Sequence, residues 1–282
     1  MLVFGSTGQV AVELQRVAPS ARFFGRGEAD LTDPEACAAV IDKQKPEAVI
    51  NAAAYTAVDA AETDEETAFR VNGEAPGAMA RACARLGIPL VQISTDYVFD
   101  GAGDAPFTPH SPAAPLGAYG RSKLAGEEAV RGAGAVHAIL RSSWIFSAHG
   151  ANFVKTMLRV SESRDRLQIV ADQVGGPTPA RAVAAACSKI AAALVEDPSR
   201  AGTYHLSGAP DVSWSAFARE IFLQAGRSVG IEEISTRDYP TPARRPLNSR
   251  LDCRATEAAF GISRPDWRAA LSDVLEELRM AA

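Results

Sequence analysis

An alternation of short apolar runs with helical stretches constrains the fold of this chain more than any other feature. The apolar runs of the first half are "LVF" at 2–4, "ARFF" at 21–24, "AVIN" at 48–51, "LVQIS" at 90–94 and "VHAILR" at 136–141. Segments with helical patterns separate them, for example 9–17 and 65–86. Strands that alternate with helices build a parallel sheet that helices cover on both faces. We therefore predict an α/β fold with a Rossmann-type doubly wound parallel sheet.

The second half of the chain shows a less regular pattern. The predicted elements there are helices at 152–160, 180–196, 213–225 and 267–279, and strands at 167–170 and 203–207. No internal repeat or low-complexity segment marks a detachable unit. We expect a smaller C-terminal lobe that is interleaved with the sheet edge. Residues 1–145 then mainly form the sheet domain, and residues 146–282 mainly form the second lobe.

The charge and the cysteine pattern argue against several classes of protein. A net charge of −5 argues against a nucleic-acid partner, because binding phosphates requires a basic surface. The longest run of small apolar residues, 182–195, contains Ser188 and Lys189 and is too short and too polar to span a bilayer. The cysteines form no CxxC pair and the histidines stand apart in the sequence. We therefore expect reduced thiols, a cytoplasmic setting and no metal cluster.

The first predicted strand runs directly into a glycine-rich turn. Gly5, Gly8 and Ala11 follow the pattern G-x-x-G-x-x-A, a spacing variant of the dinucleotide-binding fingerprint. Glycines let the backbone approach a pyrophosphate, and the following helix offers free N–H groups and the positive end of its dipole. A glycine-rich turn after a strand is common, but its place at the first strand–helix junction favours a nucleotide site.

The end of the second predicted strand bears on the choice between the two nicotinamide cofactors. An acidic residue there binds the ribose hydroxyls of NADH, whereas an arginine suits the 2′-phosphate of NADPH. Arg26 stands at this place with no acid beside it, which favours NADPH; the alternative is a solvated arginine. Asp30 could meet the adenine amine, or it could lead into the helix that Thr32 or Asp33 caps.

Two further strand ends carry small or polar residues, at the sheet edge where ligands bind in open α/β folds. The run "NAAAYT" at 51–56 leaves room for a flat cofactor or allows tight helix packing, and Thr95 follows the next strand. Tyr119 and Lys123 lie four residues apart and therefore share one face of a helix. A nearby ammonium lowers the pKa of a phenol, and such a phenol protonates a carbonyl oxygen as hydride reaches the carbon. The alternative is a solvated tyrosine beside a surface lysine.

These features together resemble the extended short-chain dehydrogenase/reductase family. The matching elements are Gly5 with Gly8, the segment 51–54, Thr95, and Tyr119 with Lys123. The stretches "NAAAYTAVDAAE", "STDYVFDG", "YGRSKLAGE" and "YPTPARRPLNSRLD" are similar to members that act on sugar nucleotides, and the similarity spans nearly the whole chain. The resemblance implies reduction of the 4-keto group of a dTDP-linked 6-deoxy sugar by NADPH or NADH. It assigns NAD(P) binding mainly to residues 1–145 and dTDP-sugar binding mainly to residues 146–282.

The resemblance also implies roles for individual residues. Thr95, Tyr119 and Lys123 match the catalytic residues of the family, and the last two also match cofactor contacts. The other positions that match the cofactor turn and cleft are Gly5, Gly8, Gln9, Val10, Asp30, Leu31, Ala53, Ala54, Tyr55 and Thr56. Thr95, Asp96 and Trp144 match contacts to the sugar nucleotide, although Trp144 could also be a plain core residue.

Two further candidates could contact the diphosphate of the substrate. Asn152 opens a predicted helix, so its amide and the helix N-terminus could face the diphosphate, or it could be an ordinary N-cap. Arg245, with its neighbours Arg244 and Arg250, could complement the same diphosphate or pair with surface acids.

One motif that the resemblance implies is incomplete. Members of the family have an Mg²⁺-associated dimer contact built from glutamates, and Glu13 matches one of its positions. Arg181 stands where a further acid is expected, and a cation does not ligate Mg²⁺. We therefore assign no metal-ligating residue, leave the role of Mg²⁺ open, and expect a monomer or a homodimer.

Other proteins of this fold remain as alternatives. A sugar-nucleotide dehydratase needs an acid–base pair directly after Thr95, whereas Asp96 is followed here by Tyr97. A regulatory subunit without catalytic activity would break the pair of Tyr119 and Lys123, which this chain keeps. The sequence therefore favours a reductase over a dehydratase, an epimerase, another sugar-nucleotide dehydrogenase or a silent subunit.

Overall fold

The structure, a computed structural model, describes residues 1–280. Its strands are, in chain order, β1 Leu2–Phe4, β2 Arg22–Phe24, β3 Val49–Asn51, β4 Leu90–Thr95, β5 His137–Ser142, β6 Ile145–Phe146, β7 Arg166–Val170, β8 Val174–Gly175, β9 Thr178–Pro179, β10 Gly202–Leu206, β11 Val212–Ser213, β12 Gly230–Ile234 and β13 Asn248–Ser249. Its helices are α1 Gln9–Val17, α2 Pro34–Gln44, α3 Glu65–Phe69, α4 Ala75–Leu86, α5 Ala118–Gly132, α6 Phe153–Val160, α7 Ala180–Glu196, α8 Trp214–Ala225, α9 Arg254–Phe260 and α10 Trp267–Met280. Within these residues no helix has the length and the apolar content needed to cross a membrane.

Six strands form one parallel sheet in the order β2-β1-β3-β4-β5-β10. Strand β1 lies between β2 and β3, so Phe4 is opposite both Phe24 and Asn51. The chain order therefore reverses at β1, and ligands of open α/β sheets bind outside the carboxyl ends of the strands at such a reversal. The predicted Rossmann-type parallel sheet is confirmed.

Helices cover the sheet on both faces, as a doubly wound fold requires. On one face Phe4 belongs to the same buried cluster as Met79 of α4, together with residues of α2. On the other face Val3 and Ile50 pack with Ile190 of α7 and with residues of α1. Because both faces of the inner strands β1, β3, β4 and β5 are largely buried, these strands are nearly continuous apolar runs instead of alternating patterns.

The second half of the chain contributes both to the sheet and to a lobe of its own. Helix α7 lies against α1, and β10 extends the main sheet beside β5. Phe146, Phe217 and Trp267 belong to the core of the second lobe, which α6, α8 and α10 surround. The second lobe is therefore interleaved with the sheet edge, as predicted, while the division at residue 145 stays a prediction.

The structure differs from the predicted elements at several places, which include five unpredicted two-residue strands, β6, β8, β9, β11 and β13. The predicted continuous helix 65–86 contains a π-helical turn, Arg70–Glu74, between α3 and α4. Asn72 in that turn accepts a hydrogen bond from the Tyr55 N–H at 2.9 Å and donates one to the Ser122 Oγ at 3.0 Å. The extra residue of the π turn thus turns a polar side chain toward the neighbouring loop and helix. Helix α9 and strand β12 were not predicted, because their short sequences show no clear apolar period.

Candidate active site

A cleft of about 670 Å³ opens at the carboxyl edge of the main sheet and reaches the second lobe. Its volume is within the range of sites for cofactors and small molecules. The predicted site residues that line it are Gly5, Gly8, Gln9, Val10, Arg26, Asp30, Leu31, Ala53, Ala54, Thr56, Thr95, Asp96, Tyr119, Lys123 and Trp144. The three predicted residues outside this lining are Tyr55, Asn152 and Arg245. The structure therefore brings most of the predicted site into one place.

The glycine-rich turn forms an open cradle at one end of the cleft. Gly5 has a φ of +104°, and a Cβ there would lie 3.2 Å from the backbone carbon of Ala52. Gly8 precedes α1 as its N-cap and supplies no capping side chain. A Cβ at Gly8 would meet no atom within 4 Å, so its backbone faces open space. The N–H groups at the start of α1 are uncapped, and no side chain at Gly8 blocks the approach of a ligand to them. Such groups are suited to bind the pyrophosphate of a dinucleotide.

Arg26 and Asp30 line the cleft beyond the glycine turn. Asp30 accepts a hydrogen bond from the Thr32 N–H at 2.9 Å, and this bond, with a smaller contribution from Arg26, lowers the pKa of the Asp30 carboxyl. Asp33 caps α2, since its side chain accepts a hydrogen bond from the Ala36 N–H at 3.0 Å. The open choice between Thr32 and Asp33 as the cap is thereby decided for Asp33, and Asp30 keeps its place in the cleft.

Tyr119 and Lys123 lie in the first turns of α5 and line the cleft together. Lys123 donates a hydrogen bond from Nζ to the Ile93 carbonyl at 2.7 Å. Burial lowers the pKa of Lys123 to about 8. Burial also raises the pKa of Tyr119 to about 12, and the nearby Thr95 side chain offsets only part of this rise.

The expected lowering of the Tyr119 pKa is therefore wrong for this arrangement of side chains. The helix spacing places Lys123 on the correct face, but its ammonium is directed to the Ile93 carbonyl. Loss of water around the phenol then dominates, because burial disfavours the charged phenolate. A phenol with a raised pKa remains protonated at neutral pH and is therefore able to donate a proton.

Thr95 and Asp96 form the floor of the cleft beside Tyr119. The Thr95 hydroxyl donates to the Asp96 Oδ1 at 3.1 Å and accepts from the Tyr97 N–H at 3.2 Å. Burial raises the pKa of Asp96 to about 6. The Asp96 Oδ2 is buried and has no hydrogen-bond partner among residues 1–280. A buried acceptor without a partner is costly, so this oxygen is suited to bind a hydroxyl of a ligand.

Glu127 lies behind the predicted catalytic residues on α5 and was not predicted as a site residue from the sequence. It is fully buried, accepts a hydrogen bond from the Ser94 Oγ at 2.6 Å, and binds Arg141 through two bonds of 2.8 and 2.6 Å. The helical spacing offered a signal, because Glu127 follows Lys123 by one turn on the same face of α5. This network ties α5 to strands β4 and β5 behind the cleft.

Trp144 lines the cleft at the end of β5 with a φ of 49°, in the left-handed region. Its ring stacks on the ring of Trp214, with centroids 3.6 Å apart and an interplanar angle of 11°. Trp214 also lines the cleft and was missed, because nothing in the sequence links it to the first lobe. Trp144 is therefore a wall of the cleft and not a plain core residue.

Tyr55 and Arg245 are held away from the cleft lining by acidic partners. The Tyr55 hydroxyl donates to the Asp64 Oδ2 at 3.3 Å. Arg245 donates to both carboxylate oxygens of Asp59, at 3.1 and 2.7 Å. The cofactor contact of Tyr55 therefore stays a prediction, and Arg245 takes the alternative of pairing with an acid.

Asn152 is the N-cap of α6. This agrees with the second of its two interpretations, an ordinary N-cap. Its Oδ1 accepts from the Lys155 N–H at 3.1 Å, and its Nδ2 donates to the Gln9 Oε1 at 2.9 Å. Gln9 also accepts a hydrogen bond from the Ser147 Oγ at 2.9 Å. The amide of Asn152 is used within the protein, where it joins the cofactor turn to the loop before α6.

Glu13 of α1, His149 and Glu277 of α10 converge, which corrects the expectation that the histidines stand alone. One ligand atom from each lies within 4.8 Å of the other two. Arg16 joins the same cluster, 3.3 Å from Glu13 and 2.5 Å from Glu277. The bond from Arg16 lowers the pKa of Glu277, and the charge of Arg181 adds to this effect. The positive charges of Arg16 and Arg181 thus compensate the negative charges of the carboxylates that would otherwise ligate a metal ion.

Comparisons with known proteins agree with this geometry. The family model described as RmlD substrate binding domain matches residues 1–280. A dTDP-4-dehydrorhamnose reductase of Sinorhizobium fredii is 44% identical, over 95% of this chain and 93% of its own length. The solved dTDP-4-dehydrorhamnose reductase of Clostridium acetobutylicum has a TM-score of 0.91 at 33% identity and 99% coverage of both chains. That of Bacillus anthracis, in complex with NADP, has a TM-score of 0.90 at 32% identity and 98% coverage of both chains.

A parallel sheet with a glycine cradle and a Thr–Tyr–Lys group at its carboxyl edge defines an oxidoreductase of the short-chain dehydrogenase/reductase type. The match to the family model and to full-length relatives makes the assignment more specific. The chain belongs to the RmlD substrate binding domain family, whose curated members matched here include dTDP-4-dehydrorhamnose reductases of several bacteria.

Proposed function

We propose that the protein reduces the 4-keto group of dTDP-4-dehydro-6-deoxy-L-mannose and forms dTDP-L-rhamnose. The observation that carries the proposal is the meeting of Thr95, Tyr119 and Lys123 in one cleft with the glycine cradle. The names of the full-length relatives support the choice of substrate.

Tyr119 is the proposed proton donor to the carbonyl oxygen. Its pKa of about 12 keeps the phenol protonated at neutral pH, and Thr95 beside it orients the same oxygen. Lys123, with a pKa of about 8, is cationic at pH 7 and stabilises the phenolate that remains after proton transfer. The bound cofactor supplies the hydride that reaches the carbonyl carbon. General acid catalysis of this kind contributes about 10²–10⁴ in rate.

Asp96 and Trp144 are the proposed contacts to the sugar. The unpartnered Oδ2 of Asp96 accepts a hydrogen bond from a sugar hydroxyl, which satisfies a buried oxygen. The Trp144 ring offers an apolar surface to one face of the sugar. The side chains of Asn152 and Arg245 are hydrogen-bonded to Gln9 and Asp59. Asn152 and Arg245 therefore remain proposed diphosphate contacts only if these bonds break when the substrate binds.

NADPH is the proposed cofactor, and NADH is the alternative. Arg26 is exposed at the cleft edge, where its guanidinium is free to meet a 2′-phosphate. The related structure from Bacillus anthracis, which contains NADP, supports this choice.

Further proposals concern metal ions, other partners and the location of the protein in the cell. We infer that catalysis requires no metal, because Arg16 already joins Glu13 and Glu277. The dTDP-sugar and the cofactor are the proposed ligands, without a nucleic-acid or membrane partner, and the protein acts as a monomer or a homodimer. Four buried free cysteines support a reducing cytoplasmic setting.

The test of the proposed function is NADPH oxidation in the presence of the dTDP-linked 4-keto sugar, with NMR identification of the product. We expect one NADPH oxidised for each dTDP-L-rhamnose formed. Conversion of dTDP-glucose into a 4-keto sugar without net NADPH consumption would identify a dehydratase instead. Cofactor binding without turnover of any such sugar would identify a silent subunit.

A further inference from the structure

The stacked pair of Trp144 and Trp214 joins the two lobes at the wall of the cleft. Trp144 follows β5 of the main sheet, whereas Trp214 begins α8 of the second lobe. The centroid distance of 3.6 Å and the angle of 11° describe nearly parallel rings in full contact. Such a contact holds each ring at a set position relative to the other.

Trp214 is itself firmly held on the side of the second lobe. Its Nε1 donates to the Gln173 Oε1 at 3.1 Å, and Phe153 packs against it with centroids 4.5 Å apart. Ser213, the N-cap of α8, accepts a hydrogen bond from the Ala216 N–H at 3.1 Å and sets the start of the helix. Trp214 is therefore a fixed surface on which another ring can rest.

Trp144 depends on such support, because its backbone conformation is unfavourable. A φ of 49° is uncommon for a bulky residue and persists only where the surroundings enforce it. Gly175 makes room for the indole, since a Cβ there would lie 3.0 Å from the Trp144 Cε2. The Thr178 N–H donates to the Trp144 carbonyl at 3.1 Å. The ring is thus guided by Gly175 and Trp214 into the wall of the cleft.

We infer that Trp214 is a positioning residue for the sugar nucleotide, which acts by holding the Trp144 ring in place as the sugar-facing wall of the cleft. The inference rests on the proposed function, in which Trp144 contacts the sugar. The cofactor cradle is formed by the glycine turn of the first lobe, so we expect the tryptophan pair to affect binding of the sugar nucleotide more than binding of the dinucleotide.

The test compares Trp214→Ala, Trp214→Phe and the control Leu223→Ala. Leu223 is on the same helix but is 74% exposed, so it reports any general effect of altering α8. Calorimetry measures the binding of dTDP-L-rhamnose, fluorescence titration measures the binding of NADPH, and steady-state kinetics give kcat and KM. Near-ultraviolet circular dichroism follows the coupled signal that two stacked indoles produce.

We expect Trp214→Ala to abolish the coupled indole signal and to weaken dTDP-L-rhamnose binding by about three- to tenfold, the value of a lost aromatic pair. KM for the keto sugar should rise to the same extent, while kcat and the Kd for NADPH change by less than about twofold. Trp214→Phe should lie between wild type and Trp214→Ala, and it carries the test alone if the alanine variant does not fold. Leu223→Ala should match wild type.

Unchanged binding of dTDP-L-rhamnose in folded Trp214 variants would overturn the inference. An equal loss of NADPH affinity and kcat would also overturn it, because that pattern indicates general damage to the cleft. Failure of the proposed function is seen separately, as absence of turnover by wild type. Weaker dTDP-L-rhamnose binding by the variants would support the positioning role even then, and a wild type that does not bind dTDP-L-rhamnose would overturn both proposals.

Discussion

Lys123 and Glu127 lie one turn apart on α5, and both are bonded to consecutive residues of β4. The Lys123 Nζ donates to the Ile93 carbonyl at 2.7 Å, and Glu127 accepts from the Ser94 Oγ at 2.6 Å. The helix that carries Tyr119 is thereby attached to the strand that ends in Thr95. This double attachment sets the distance between the Tyr119 and Thr95 side chains.

Glu127→Gln should destabilise the protein by about 3 kcal/mol, because a buried Arg141 would lose its countercharge. Urea unfolding at neutral pH measures the loss. The matched control is Glu128→Gln, since Glu128 is the next residue of the same helix and is exposed. Equal stability of the two variants would show that the Glu127 network does not hold α5 to the sheet.

Lys123→Met should make the protein more stable at neutral pH while removing activity. The pKa of Lys123 falls from 10.5 to about 8 on folding, so keeping the ammonium buried costs free energy below pH 8. That cost disappears as the pH rises from about 8 to 10.5, where the unfolded chain also becomes neutral. We expect a gain of about 1–2 kcal/mol at pH 7, after allowing for the lost bond to Ile93.

Urea unfolding of Lys123→Met and wild type at pH 7 and pH 10 checks this prediction. The wild type should gain stability relative to the variant as the pH rises between these values. A constant difference between the two proteins would show that the Lys123 ammonium is not destabilising.

Arg26→Ala should lower the preference for NADPH over NADH. Loss of one guanidinium–phosphate contact should reduce kcat/KM for NADPH by about tenfold and leave the value for NADH nearly unchanged. Arg22→Ala is the control, because Arg22 is an exposed arginine of the strand β2 that precedes Arg26, and it bonds to Gln44. If the cofactor ratio stays the same in Arg26→Ala, Arg26 is a solvated surface residue.

Activity should survive EDTA treatment followed by gel filtration. Arg16 bonds to Glu13 and Glu277, and the charge of Arg181 also acts on Glu277. These cations compensate the two acids, so no divalent ion is needed to balance them. A large loss of activity that Mg²⁺ alone restores would show that Glu13, His149 and Glu277 hold a metal in solution.

Much of the fold could be predicted because it depends on local pattern. Apolar runs and capping residues indicate the first five strands and their helices. Two glycines directly after β1 indicate the cofactor cradle. The shared place of Tyr119 and Lys123 in the cleft could be predicted for the same reason, since they share a helix face at a fixed spacing.

The features that were missed depend on distant contacts. The stack of Trp214 on Trp144 joins residues 70 positions apart, and the Glu13, His149 and Glu277 cluster joins three separate elements. The direction of the Tyr119 pKa was missed because spacing shows which groups share a face, while burial and the position of the Lys123 ammonium depend on the packed structure. Asn152 and Arg245 each had two interpretations, and tertiary partners now engage both side chains.

Tyr119→Phe tests the central claim most directly, because it removes the proposed proton donor and keeps the ring. Single-turnover oxidation of bound NADPH by the dTDP-linked 4-keto sugar should slow by about 10²–10⁴. NADPH affinity and the circular dichroism spectrum should remain those of wild type, and Tyr239→Phe, at a tyrosine that is 55% exposed, should react at the wild-type rate. A folded Tyr119→Phe variant with near-normal single-turnover rates would contradict the account and show that the proton comes from another group.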